Sequence, residues 1–148
     1  MIIYYTKKGN GVVKSTKSIQ WGLLHREDGP AIIWPGGSEN WYLDGKKHRL
    51  GGPAISWYSG EKEWWVNGKR HRLDGPAIIW KTGDKEWFVN GKKHRLDGPA
   101  IESYDKMFID YFINDKKLNK KEVEAWVNNN NINLKIKQHQ ALFMLRFG

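Results

Sequence analysis

The chain is 148 residues long, enough for one ordinary hydrophobic core but short for two. A balance of 39% apolar and 28% charged residues, with 9 Trp, argues against wholesale disorder, and no stretch approaches the ~18 continuous apolar residues of a membrane-spanning helix. The net charge of +9 favours anionic partners, whereas the lack of cysteine excludes disulfides, thiolate metal sites and a thiol nucleophile.

The opening MIIYYTKKGNG has none of the charged, apolar and small-residue series of a secretion signal, so a cytoplasmic location is expected. Residues 1–20 read as an irregular capping hairpin that turns at Gly9, Asn10 and Gly11.

Residues 21–115 carry an internal repeat with a period of 23 residues. His25, His48, His71 and His94 fall in register, as do Arg26, Arg49, Arg72 and Arg95, followed by Pro30, Pro53, Pro76 and Pro99. Trp34, Trp57 and Trp80 form another column, Trp41, Trp64 and Trp87 a third, with Tyr42, Trp65 and Phe88 beside it. Such a series is an array of like units, each able to bury its apolar face only against the next. Each unit holds a run such as PAIIW, a Gly-bearing turn such as KTGDK and a second run such as EWFVN, all rich in β-branched and aromatic residues. That predicts two strands per unit, with the phrase NGKRHRLDGPA joining one hairpin to the next. Alternation along the second strand puts Trp64 and Val66 on one face and Trp65 on the other, so both faces need partial cover.

Over residues 116–148 the array decays into a cap. YFINDKKLNKKEVE repeats WFVNGKKHRLDG with one residue inserted, Asp115 standing for Gly91 and Leu118 for His94. Asn119 followed by Glu122 predicts a helix start, with Val123, Trp126 and Val127 as its apolar stripe before the Asn-rich break at 128–131. The segment INLKIKQHQALFMLRFG is read as a second helix. The expected fold is therefore mainly β: an antiparallel β-meander of 23-residue hairpin repeats with a short helical C-terminal cap.

The period, the NGKRHR joints, the aromatic residues ahead of Asn-Gly and the Asp-Gly punctuation resemble the MORN repeats, particularly divergent viral and bacterial variants carrying HRxDGPA. The resemblance covers about residues 18–115 and implies an elongated, twisted antiparallel meander. It also implies a phage or viral accessory protein that counters host defence in the host cytosol.

The pairs His25/Asp28, His71/Asp74 and His94/Asp97 repeat one spacing, and a reacting centre is not copied in this way. The second unit replaces the Asp with Gly51, and no serine completes a triad, so neither enzymatic activity nor a cofactor is expected. Equivalent histidines of two-stranded units stand about 10 Å apart, too far to share one zinc, and no metal site is expected. A hydrogen bond fixing the joint is the favoured role for His48 and His71.

Basic groups beside tryptophan columns supply the phosphate contacts and stacking faces from which nucleotide and single-strand binding are built. The candidate ligand-binding set is Arg49, Arg72, Arg95, His48, His71, His94, Lys47, Arg70, Lys93, Trp57, Trp64, Trp65 and Trp80, for an anionic nucleotide or short nucleic acid. The competing reading, core tryptophan beside a solvated rim, carries equal weight. A functional alternative is a protein-interaction module that presents Tyr42, Trp65 and Phe88, or the helical cap, to a host protein. Attachment to acidic membrane ranks below both, and a homodimer is compatible with apolar residues on both faces.

Overall fold

The structure is a computed structural model that describes residues 3–8, 11–15 and 22–148. A hairpin of β1 (Ile3–Lys8) and β2 (Gly11–Ser15) opens the fold. Lys8 pairs with Gly11, while the expected turn residues Gly9 and Asn10 lie outside the described residues.

Every later unit holds four strands of two residues. The first contributes β3 (Ile32–Ile33), β4 (Glu39–Asn40), β5 (Tyr42–Leu43) and β6 (Lys46–Lys47). The second contributes β7 (Ile55–Ser56), β8 (Lys62–Glu63), β9 (Trp65–Val66) and β10 (Lys69–Arg70). The third contributes β11 (Ile78–Ile79), β12 (Lys85–Glu86), β13 (Phe88–Val89) and β14 (Lys92–Lys93). The last contributes β15 (Ile101–Glu102), β16 (Ile109–Asp110), β17 (Phe112–Ile113) and β18 (Lys116–Lys117).

Two strands per unit are expected from the sequence, and the structure has four because the run EWFVN breaks at its tryptophan. The Trp87 N–H donates to the Ala100 carbonyl at 2.8 Å, and the Trp87 carbonyl accepts from the His94 N–H at 3.1 Å, so the ladder changes partners there. Beyond the break, Asn90 and Gly91 take φ of +52° and +84° and close a two-residue turn, whose backbone twist suits the flanking strands. The first half of the phrase expected to be a joint is thus a hairpin in its own right.

The first two strands of each unit join one ten-stranded antiparallel sheet, in the order β2-β1-β3-β4-β7-β8-β11-β12-β15-β16. The four Asn-Gly-type hairpins, β5-β6, β9-β10, β13-β14 and β17-β18, form a second tier. Backbone bonds tie this tier step to step: the Arg49 N–H donates to Trp65 at 3.0 Å and the Gly68 N–H to Lys47 at 2.9 Å, and Arg72 and Gly91 repeat the pattern.

Small and β-branched residues fill the interior. Ala31, Ala54, Ala77 and Ala100 are wholly buried, and Ile32, Ile55 and Ile78 nearly so. Phe88 and Trp64 close over Ala77 and Ile78. At the C-terminal end, Asn119 caps α1 (Lys120–Asn129) by accepting the Glu122 N–H at 3.2 Å, and α2 (Lys137–Phe147) packs Phe143 and Phe147 against Ile113, Leu118 and Val123. The Leu118 N–H donates to the Tyr111 carbonyl, as His94 does to Trp87, so Leu118 keeps the backbone role of its column. Its apolar side chain turns what would be another polar joint into the floor on which the helices sit.

Ile78→Ala is expected to cost about 2–5 kcal/mol in urea unfolding, whereas Leu73→Ala, at a side chain 79% exposed, should stay within about 0.5 kcal/mol. Equal costs would contradict the placement of the core.

Candidate functional site

The second half of the repeated phrase is a joint in which each side chain has one task. The guanidinium of Arg72 stacks on Trp64, its Nε donates to Asp74 at 2.8 Å, and its Nη1 donates to the Pro76 carbonyl at 3.3 Å. Arg95 repeats this with Trp87, Asp97 and Pro99. Arg26 does so with Asp28 and Pro30, stacking on Tyr5 from the N-terminal hairpin. The glycine between is a matter of space: a Cβ at Gly75 would meet the Arg72 guanidinium at 2.9 Å.

The histidines tie each joint to the next turn. The His71 Nδ1 accepts the Asn90 N–H at 3.0 Å, and His25, His48 and His94 accept from Asp44, Asn67 and Asn114 in the same way. Asn67, Asn90 and Asn114 all have φ near +50°, so each histidine fixes a left-handed turn residue of the following unit. Among the described residues no group of three or more His, Asp or Glu could hold a metal ion.

Side by side, the joints form a groove of four clefts, one per step. The first, about 650 Å³, is lined by Tyr5, Lys14 and Arg26; the next, about 430 Å³, by Trp41, His48 and Arg49. The third, about 420 Å³, has Trp64, Val66, His71 and Leu73 in its wall, and the fourth, about 570 Å³, has Trp87, Val89, His94 and Leu96. Neighbouring clefts share lining residues: Arg26 and Glu27, then Arg49 and Leu50, then Arg72, Leu73 and Asp74. The row is therefore one continuous groove.

A lysine row rims it. Lys46, Lys69 and Lys92 pair across their hairpins with Leu43, Val66 and Val89, and residues directly opposite on an antiparallel pair share a face. Their partners all line the groove, so the lysines stand on the same side, about 10 Å apart. They are exposed, and the Lys46 and Lys69 stems lie over Gly68 and Gly91 of the next unit. Among the described residues none of the three has an ion pair.

The structure separates the expected site residues into three groups. Arg49, Arg72, Arg95, His48, His71, His94 and Trp64 line the groove, but Arg72, Arg95 and the histidines are held by the contacts above, and Arg49 stacks on Trp41 and donates to the Pro53 carbonyl. Lys47, Arg70, Lys93 and Trp65 lie on the opposite face of the hairpins, where Lys47 sits 4.5 Å over Trp65, Arg70 meets Glu63 at 3.4 Å and Lys93 meets Glu86 at 3.7 Å. Trp57 and Trp80 stand apart from both, at the turns of the long sheet. The missed residues, Lys46, Lys69 and Lys92, were signalled by their place: the first position after each Asn-Gly or Asp-Gly turn, one residue out of phase with the expected Lys47, Arg70 and Lys93.

The arginines hold their acidic partners in the charged form. Hydrogen bonds from Arg26 and Arg72 keep the Asp28 and Asp74 carboxyls below the usual range. Burial pushes Asp97 up, but hydrogen bonds from Arg95 and Lys135 outweigh it and bring its carboxyl below that range as well. A carboxyl depressed on folding contributes stability that is complete above its unfolded value of about 4 and is lost as pH falls through the folded value. The urea midpoint should therefore fall below about pH 4, and the double change Asp74→Asn, Asp97→Asn should flatten that acid limb. An acid limb unchanged by both substitutions would contradict this coupling.

Among the described residues no helix is long and apolar enough to cross a membrane. Compared with protein-family models, curated proteins and solved structures, the chain has no match.

Proposed function

We propose that the chain is a non-enzymatic, MORN-like binding module that lays an anionic nucleotide-type ligand, specifically a short single-stranded nucleic acid, along the joint groove. The observation that carries this reading is the lysine rim. Lys46, Lys69 and Lys92 are exposed, have no ion pair among the described residues, and are regularly spaced above a groove whose walls mix Trp, Val and Leu with the joint arginines, histidines and aspartates. A charged track beside aromatic and aliphatic surface is the general design of proteins that bind single strands without strong sequence preference. The joint arginines matter less than their number suggests, since Arg72 and Arg95 already satisfy carboxylates of their own chain. A phage or viral counter-defence role, with a host nucleotide as ligand, belongs to the same proposal through the HRxDGPA resemblance.

A specific observation favours a second reading, docking to a host protein at the opposite edge. The long-sheet turns expose Tyr58, Tyr104 and Met107 by roughly four-fifths, with Phe108, Trp57 and Trp80 nearby in the same series of turns. The face first expected for this role serves it poorly: Phe88 is buried, and Trp65 lies beneath Lys47 and Arg70.

Binding of a short oligothymidylate, titrated against salt, separates the two. The triple variant Lys46→Gln, Lys69→Gln, Lys92→Gln should weaken binding and reduce the salt slope by about 2, whereas Tyr58→Ala with Tyr104→Ala should leave both unchanged. A lysine variant that binds like the parent at every salt concentration would overturn the groove reading.

A further inference from the structure

Three of the four joint arginines carry a carboxylate plug, and the fourth does not. The Nε of Arg26, Arg72 and Arg95 donates to Asp28, Asp74 and Asp97 at 2.9, 2.8 and 2.6 Å. In the second unit that column holds Gly51. Arg49 nonetheless keeps the pose of its counterparts: its guanidinium lies 3.9 Å over Trp41, and Nη1 donates to the Pro53 carbonyl at 3.1 Å. Gly52 supports it from below, where a Cβ would meet the guanidinium at 3.1 Å. The backbone differs at this one joint, since Gly51 takes φ of +77° while Asp28, Asp74 and Asp97 do not have positive φ, and a Cβ built on Gly51 meets nothing within 4 Å.

We infer that Arg49 is an oxyanion subsite, which takes a phosphate oxygen of the ligand on Nε where the other three units place an aspartate oxygen. Its pose is fixed before any ligand arrives, so little side-chain freedom remains to be lost on binding. Arg49 lines both middle clefts, and its charge is uncompensated among the described residues. The position also answers a problem of periodicity. A groove made of like clefts offers an extended ligand several equivalent registers, and a single unplugged arginine selects one. The ligand class rests on the proposed function, whereas the subsite rests on the comparison of the four joints.

The test follows the four Arg Nε–H signals by NMR during titration with inorganic phosphate, and then with a short 5′-phosphorylated oligothymidylate. Phosphate should shift the Arg49 signal saturably and leave Arg26, Arg72 and Arg95 in place. Gly51→Asp, which adds a carboxylate beside Arg49, should abolish that response and weaken the oligonucleotide about tenfold. Since φ at Gly51 is +77° and a side chain there is strained, a second variant acts in the other direction: Asp74→Gly should confer the response on Arg72. An Arg49 signal that does not move, or four signals that move alike, would overturn the subsite. Phosphate binding at Arg49 without oligonucleotide binding would uphold the subsite and remove the nucleic-acid reading; oligonucleotide binding with Arg49 unmoved would do the reverse.

Discussion

The stacking of a joint arginine on an aromatic ring, a tryptophan eight residues earlier for Arg49, Arg72 and Arg95, is the contact on which the rest of the array depends. A guanidinium over an indole face gains cation–π attraction and also covers apolar surface with its planar body. Once it is there, much of the remaining phrase follows. Glycine must stand beneath the guanidinium, an aspartate or proline carbonyl must satisfy its donors, and alanine must be small where the chain turns back into the sheet. The four joints, with Tyr5 serving the first, are copies of one solution to one packing problem.

This economy divides the positive charge into two populations. Charges in the Arg column are largely matched within the chain, so the net charge of +9 is not a measure of what a partner would meet. The second basic residue of each hairpin is likewise held, over an aromatic ring or against an acidic side chain. Among the described residues, the cations without an ion pair include Lys46, Lys69 and Lys92 beside the first three turns and the one arginine whose plug is a glycine. They also include exposed lysines on the long sheet such as Lys62 and Lys85, whereas Lys116 beside the last turn is held by the Phe147 carbonyl. Partly exposed ion pairs of the joint type contribute little each to stability, typically up to about 1 kcal/mol, yet they decide where uncompensated charge appears on the surface.

The period, the hairpin character and the helical cap were legible because each rests on local chemistry: in-register columns, Gly-bearing turns, and Asn119 with Glu122 at a helix start. The strand count was not, because EWFVN has an unbroken β pattern and only the partners of Trp87 reveal the break. Asn-Gly between β-prone residues is itself a hairpin signal, and reading Asn67-Gly68 and Asn90-Gly91 as turns would have found the second tier. The candidate site was half legible. His71 and Arg72 were visible as a repeated pair, but whether such groups face a ligand or their own backbone depends on contacts to residues of the next unit, such as Asn90 and Phe88. Gly51 stood out as the missing aspartate in the sequence, where it argued against catalysis; the open space around it appears only in three dimensions.

The most direct measurement of this division of charge is residue-resolved amide NMR mapping of the protein with a short oligothymidylate. Shifts should run along Leu43 and Lys46, Val66 and Lys69, and Val89 and Lys92, with the turns at Tyr58 and Tyr104 unmoved. Shifts confined to the Tyr58–Tyr104–Phe108 edge, or none along the lysine rim, would contradict it.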